Sequence, residues 1–68
     1  MVNTVLLEKA ISDSGLKKKY IAKELGMSSR SFSKKIKGDS DFLGEQITQL
    51  CDILSISDNN QKTDIFLS

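Results

Sequence analysis

The chain has 68 residues, one cysteine, no histidine, no proline and a formal net charge of +1. That length allows one domain, expected over residues 1–68, with a modest core and no room for a deep catalytic cleft beside a regulatory domain. An intrachain disulfide and a zinc site of the Cys/His type are both excluded, so among the devices that stabilise small domains a partner subunit is the one left.

Apolar residues recur at helical rather than alternating spacing, which predicts an all-α fold of four to five short helices in one compact bundle. The first helix carries Leu6, Leu7, Ala10 and Ile11 on one face, with Asn3 or Thr4 as N-cap. Gly15 follows as a left-handed terminating residue, and Leu16 is placed for the accompanying apolar contact. The second helix is about two turns long, with Ile21, Ala22 and Leu25 inward and Gly26 at its end. The third starts at the N-cap Ser28, holds Phe32 and Ile36 as an i, i+4 apolar pair, and stops at Gly38. A loop from Asp39 to Leu43 should fold Phe42 back onto the core. The fourth helix, Gly44 to Leu54, keeps Ile47, Leu50, Cys51 and Leu54 in register. Beyond the turn residues Ser57 to Asn60, the stretch ending Ile65, Phe66 and Leu67 is either a short helix or an extended tail.

Charge is sharply segregated. Residues Lys17 to Lys37 contain eight cations and one anion, Glu24, for a net +7; the remainder carries −6. A charge run can be a solvated helix face, but a basic block beside an acidic remainder is also the footprint of a polyanion-binding surface. Lys17 to Lys19 stand at the entry of the second helix, where cations oppose the macrodipole. An anion such as phosphate at that end would relieve the conflict.

In KYIAKELGMSSRSFSKKIKG, each residue type has a reason. Ala22 is small where two helices cross closely, and Gly26 supplies a positive φ in the tight turn between them. Ile21, Leu25, Met27 and Phe32 point inward. The outer face of the third helix is thereby free of core duties.

This stretch resembles the lambda Cro/repressor-type (XRE) helix-turn-helix family, with the helix-turn-helix at about 18–37. The residues that carry the likeness are Gly15-Leu16, Ile21-Ala22, Leu25-Gly26-Met27-Ser28, Ser31 with Phe32 and Ser33, and Lys37-Gly38. The stretch from Phe42 to Ile56 is similar to the family's later helix, and the nearer likeness is to short phage Cro-like regulators of Gram-positive bacteria. The resemblance implies that Ser28, Ser29, Arg30 and Lys34 face base edges in the major groove, and that Lys17, Lys18 and Lys37 lie along the phosphates. Ser31 and Ser33 would add phosphate or base contacts. The chemistry agrees: Arg30 and Lys34 are one turn apart on a shared face, arginine can bind guanine bidentately, and lysine can reach the same acceptors.

Two positions depart from the family. Lys17-Lys18 replace its usual Thr-Gln, and lysine braces a phosphate as a point charge rather than directionally. Lys35 stands where the family has an apolar residue, with Ile36 one place later, so the phase of the third helix is open by one residue.

The function expected from this resemblance is sequence-specific binding of a double-stranded DNA operator, as a Cro-like transcriptional repressor. A homodimer would match a palindromic site, with Ile56 and Ile65 to Leu67 as its surface, since those residues have little core left to join. The alternative is a phage modulator or antirepressor that binds another repressor protein. Cofactors are expected to be none. No acid/base pair, phosphate cradle or metal site points to an enzyme. Cys51 lies on an apolar face with no histidine to activate it, so it reads as a small buried residue, and Asp39 and Asp41 read as loop caps rather than ligands. MVNTVLLEKAI lacks the basic leader and long apolar run of a signal peptide. No stretch is long enough to span a bilayer. The expected location is therefore the cytoplasm of a bacterial host, on DNA and away from membrane.

Overall fold

Asn3 starts the first helix as its N-cap, its side-chain oxygen accepting from the Leu6 N–H at 3.1 Å. In the computed structural model, which describes residues 2–67, five helices follow: α1 Thr4–Ser14, α2 Lys18–Glu24, α3 Ser29–Ile36, α4 Gly44–Ile53 and α5 Asn59–Phe66. No strand occurs among the described residues. The expected all-α bundle is thus observed, with the C-terminal stretch resolved as a helix. Asp58 caps that helix by accepting from the Asn60 N–H at 2.8 Å.

Three of the helix ends share one device. After α2, the Met27 N–H reaches back to the Ala22 carbonyl and the Gly26 N–H to that of Lys23. After α3, Asp39 and Gly38 do the same to Lys34 and Lys35; after α4, Ile56 and Ser55 do so to Cys51 and Asp52. This pair of bonds satisfies carbonyls that the helix end would leave open, and it needs one left-handed residue. Gly26 fills that place at φ 73° between α2 and α3, as its position in the sequence anticipated. After α4 the left-handed residue is Ser55, at φ 57°, where a side chain costs energy that glycine would not.

The core is a single cluster. Leu7 and Ile11 from α1, Ile21 and Ala22 from α2, and Phe32 and Ile36 from α3 meet Leu50 and Cys51 from α4. Leu25, Ile56, Ile65 and Phe66 complete it. Its Cα radius of gyration, 10.6 Å, matches the roughly 11 Å expected of a compact domain this size. Phe42 folds back as expected and links three elements: its ring meets those of Phe32 and Phe66 edge-on, at centroid distances of 6.2 and 6.0 Å.

The placement of Lys35 settles the phase of α3. Its ammonium donates to the Asp41 carbonyl at 2.6 Å and stands 6.0 Å from the Phe42 ring centroid. The side chain is thus half-buried, with its charged head over the Phe42 ring and bonded to the loop. Phe32 and Ile36 are both buried, so the inward stripe is unshifted.

Two expectations are corrected. Ile56, Ile65 and Phe66 do not form an open dimer surface; they are 6%, 2% and 6% exposed and belong to the core. The reason is that Ile56 is turned inward by the end of α4, while α5 packs on α1 and its Ile65 carbonyl accepts from the Asn3 N–H at 2.6 Å. Of that group only Leu67 keeps its apolar surface exposed. Among the described residues, neither the Asp39 nor the Asp41 carboxylate caps the loop; Asp41 contributes its backbone carbonyl to Lys35 instead.

Among the described residues no helix is long and apolar enough to cross a membrane. Nor does any group of three or more His, Cys, Asp or Glu side chains come together there as a metal site.

Candidate nucleic-acid interface

The sequence from Lys17 to Lys37 folds into α2, the turn and α3, and these two helices pack on each other more extensively than any other pair. Ala22, 1% exposed, lets them approach, and Ile21, Leu25 and Phe32 fill the angle between them. Because Phe32 and Ile36 define the inner side of α3, its outer side follows from helical geometry. At 3.6 residues per turn, Arg30 and Lys34 lie about 40° apart and about 160° from the Phe32–Ile36 stripe. Both are exposed, as is Lys37 at the C-cap, on the same side. Lys34 and Lys35 in the last turn also complement the negative end of the helix dipole.

The serines divide into distinct roles. Ser28 is the N-cap: its hydroxyl oxygen accepts from the Ser31 N–H at 3.1 Å, and the same hydroxyl donates to Ser31 Oγ at 3.1 Å. Ser28 therefore holds the start of α3 and braces Ser31, with one acceptor position left for an outside donor. Ser29 is exposed beside Arg30, whereas Ser33 is half-buried on the flank of the helix.

The entry of α2 is less uniform than its three lysines suggest. Lys17 is the N-cap residue, exposed and with no side-chain acceptor to offer the open N–H groups of the first turn. Lys18 turns towards α1 and forms an ion pair with Glu8, at 2.9 Å to one carboxylate oxygen. Lys19, Tyr20 and Lys23 are exposed on α2, Tyr20 with half of its surface open.

The structure thus brings Arg30, Lys34 and Lys37 to one open side of α3, and leaves Ser29 exposed in the first turn of that helix and Lys17 exposed at the start of α2. Lys18 is partnered, and Ser28 and Ser31 are engaged with each other. Sequence reasoning missed Glu8 and Tyr20. Glu8 is ten residues from Lys18 and on another helix, so no local pattern connects them. Tyr20 carries a signal that could have been read: it is an aromatic residue inside the lysine run but off the Ile21, Ala22, Leu25 face.

Cys51 offers no competing chemistry. Burial pushes its thiol up, the nearby Lys62 offsets part of that, and Asp52 adds to it. Burial and a raised thiol both disfavour the thiolate, the reactive form of a cysteine.

No protein family model, curated protein or solved structure matches the chain.

Proposed function

We propose that the chain binds double-stranded DNA sequence-specifically, as a Cro-type transcriptional repressor with α3 as its reading helix. One observation carries the reading: Arg30 and Lys34 occupy the exposed side of α3, opposite the buried Phe32 and Ile36, on a helix held against α2 by a two-bonded glycine turn. An α-helix fits the major groove with its side chains at the base edges. In this reading Arg30 takes a guanine through its paired N–H groups, Lys34 reaches a neighbouring acceptor, and Ser29 is short enough to allow close approach. Lys17 and Lys37 bracket the helix and meet phosphates; Ser31 and Ser33 lie on its flanks. Two copies on a palindromic operator would double these contacts.

Fluorescence anisotropy with duplexes from the gene's own upstream region, over a salt series, tests the proposal. Binding through several phosphates predicts a logarithmic loss of affinity with salt, with a slope of about −0.9 per phosphate. Failure to bind any duplex at low salt would overturn the DNA reading in favour of the other class of regulator, one that acts by binding a repressor protein. The open cleft between α1 and α5, rimmed by Asp13, Asp58 and Asp64, is where such a partner would first be sought.

A further inference from the structure

The two oxygens of the Glu8 carboxylate lie 2.9 and 3.1 Å from the Lys18 ammonium. Both side chains are half exposed, at 49% and 48%. Glu8 also lines, with Thr4, Val5, Ile36 and Lys37, the open cleft between α1 and the end of α3. Glu8 therefore pairs with Lys18, a lysine that the family resemblance places along the phosphates, and shares a cleft with a second, Lys37. Among the described residues, Glu8–Lys18 is the only ion pair between an acidic side chain and the basic block.

We propose that Glu8 is an internal competitor for DNA phosphate at Lys18, which lowers the affinity for duplex of any sequence. The inference rests on the DNA-binding reading. An ion pair this exposed contributes little to stability, so a phosphate can displace the carboxylate at small cost. With Glu8 beside it, however, Lys18 brings no net positive charge to the interface: the cation freed from the phosphate is drawn to the uncovered carboxylate, and the net counterion release falls. The negative charge of Glu8 also repels the incoming backbone. The effect falls on phosphates alone, so it suppresses specific and non-specific binding alike and does not change which sequence is preferred.

The test uses five proteins: the parent, Glu8→Gln, Glu8→Ala, Lys18→Ala and the Glu8→Gln/Lys18→Ala double variant. Each is titrated against an upstream duplex and an unrelated duplex at 50 and 200 mM salt. Glu8→Gln is expected to tighten binding to both duplexes by about three- to tenfold at 50 mM salt. That gain should shrink by about 3.5-fold at 200 mM, as one added phosphate contact requires. Lys18→Ala should cost little in the parent and abolish the gain in the Glu8→Gln background. Glu8→Ala should reproduce the gain, and thermal unfolding reports whether each variant is folded. If Glu8 only ties α1 to α2, Glu8→Gln will leave affinity unchanged or weaken it, and Lys18→Ala will cost the same in both backgrounds; either result overturns the proposal. A parent that binds neither duplex at 50 mM overturns the DNA reading and this inference together. A parent that binds, with no gain in Glu8→Gln, overturns the inference alone.

Discussion

Replacing Lys35 by alanine removes two interactions and the stem of a half-buried side chain. The ammonium–carbonyl bond to Asp41 is short, at 2.6 Å, but lies at the surface. It is worth about 0.5–1.5 kcal/mol there. The contact of the same ammonium with the Phe42 ring, at 6.0 Å, adds about 0.5–1 kcal/mol. Together the loss is about 1–2.5 kcal/mol, against a total stability of roughly 3–10 kcal/mol for a domain of this length. For such a domain each kcal/mol moves the melting temperature by about 4–8 °C. Lys35→Ala should therefore melt about 5–15 °C lower by circular dichroism, and Lys35→Met, which loses the same ammonium contacts, should recover only what an apolar stem contributes. The same variants report on the phase of α3. With Phe32 and Ile36 inward, Lys35 is off the face of α3 proposed to read DNA, so on that proposal folded Lys35→Ala should keep the sequence preference of the parent and lose less than about threefold in affinity. Unchanged melting, or a selective loss at one base pair, would refute the placement of Lys35 on Phe42.

Arg30→Ala should cost roughly 1–3 kcal/mol on the specific duplex and relax preference at one position, whereas Lys37→Ala should weaken all duplexes alike and reduce the salt slope by about one. Titrations with single base-pair variants distinguish the two patterns. Ser55→Gly removes a side chain from a left-handed residue at φ 57° and should stabilise the protein by about 0.5–1 kcal/mol in chemical denaturation. Cys51 has its thiol raised above the ordinary 9.0 by burial, so the folded state holds that proton more tightly than the unfolded one. Its contribution is then complete below about pH 9 and is lost as pH rises towards the folded value; a Cys51→Ala variant should show a flatter decline in stability above that pH.

Much of the local design was legible in order along the chain. Asn3, Ser28, Gly15, Gly26 and Gly38 mark helix boundaries by chemistry that acts over three to five residues. Phe32 and Ile36 mark an inner face by periodicity alone. Those signals were enough for an all-helical fold and for the basic turn-flanked pair of helices. The final helix was open between helix and tail because Asn59 to Phe66 has only Ile65 and Phe66 as strong apolar residues, both at its end. Its docking on α1 supplies what its own periodicity lacks.

The amino-acid sequence by itself determined where most of the first four helices start and stop, that Phe32 and Ile36 form an apolar pair on α3, and that positive charge gathers between Lys17 and Lys37. These properties depend on near neighbours and on a fixed helical repeat. Only the tertiary structure decided three other matters. It placed Lys35 over Phe42, which set the phase of the outer face of α3. It buried Ile56, Ile65 and Phe66, which removed them from any partner surface. It also brought Glu8 against Lys18, which divided three adjacent lysines into one that is paired and two that are open to solvent. Each of these depends on how separate elements pack, and the packing angle is set by the whole core rather than by any local run of residues.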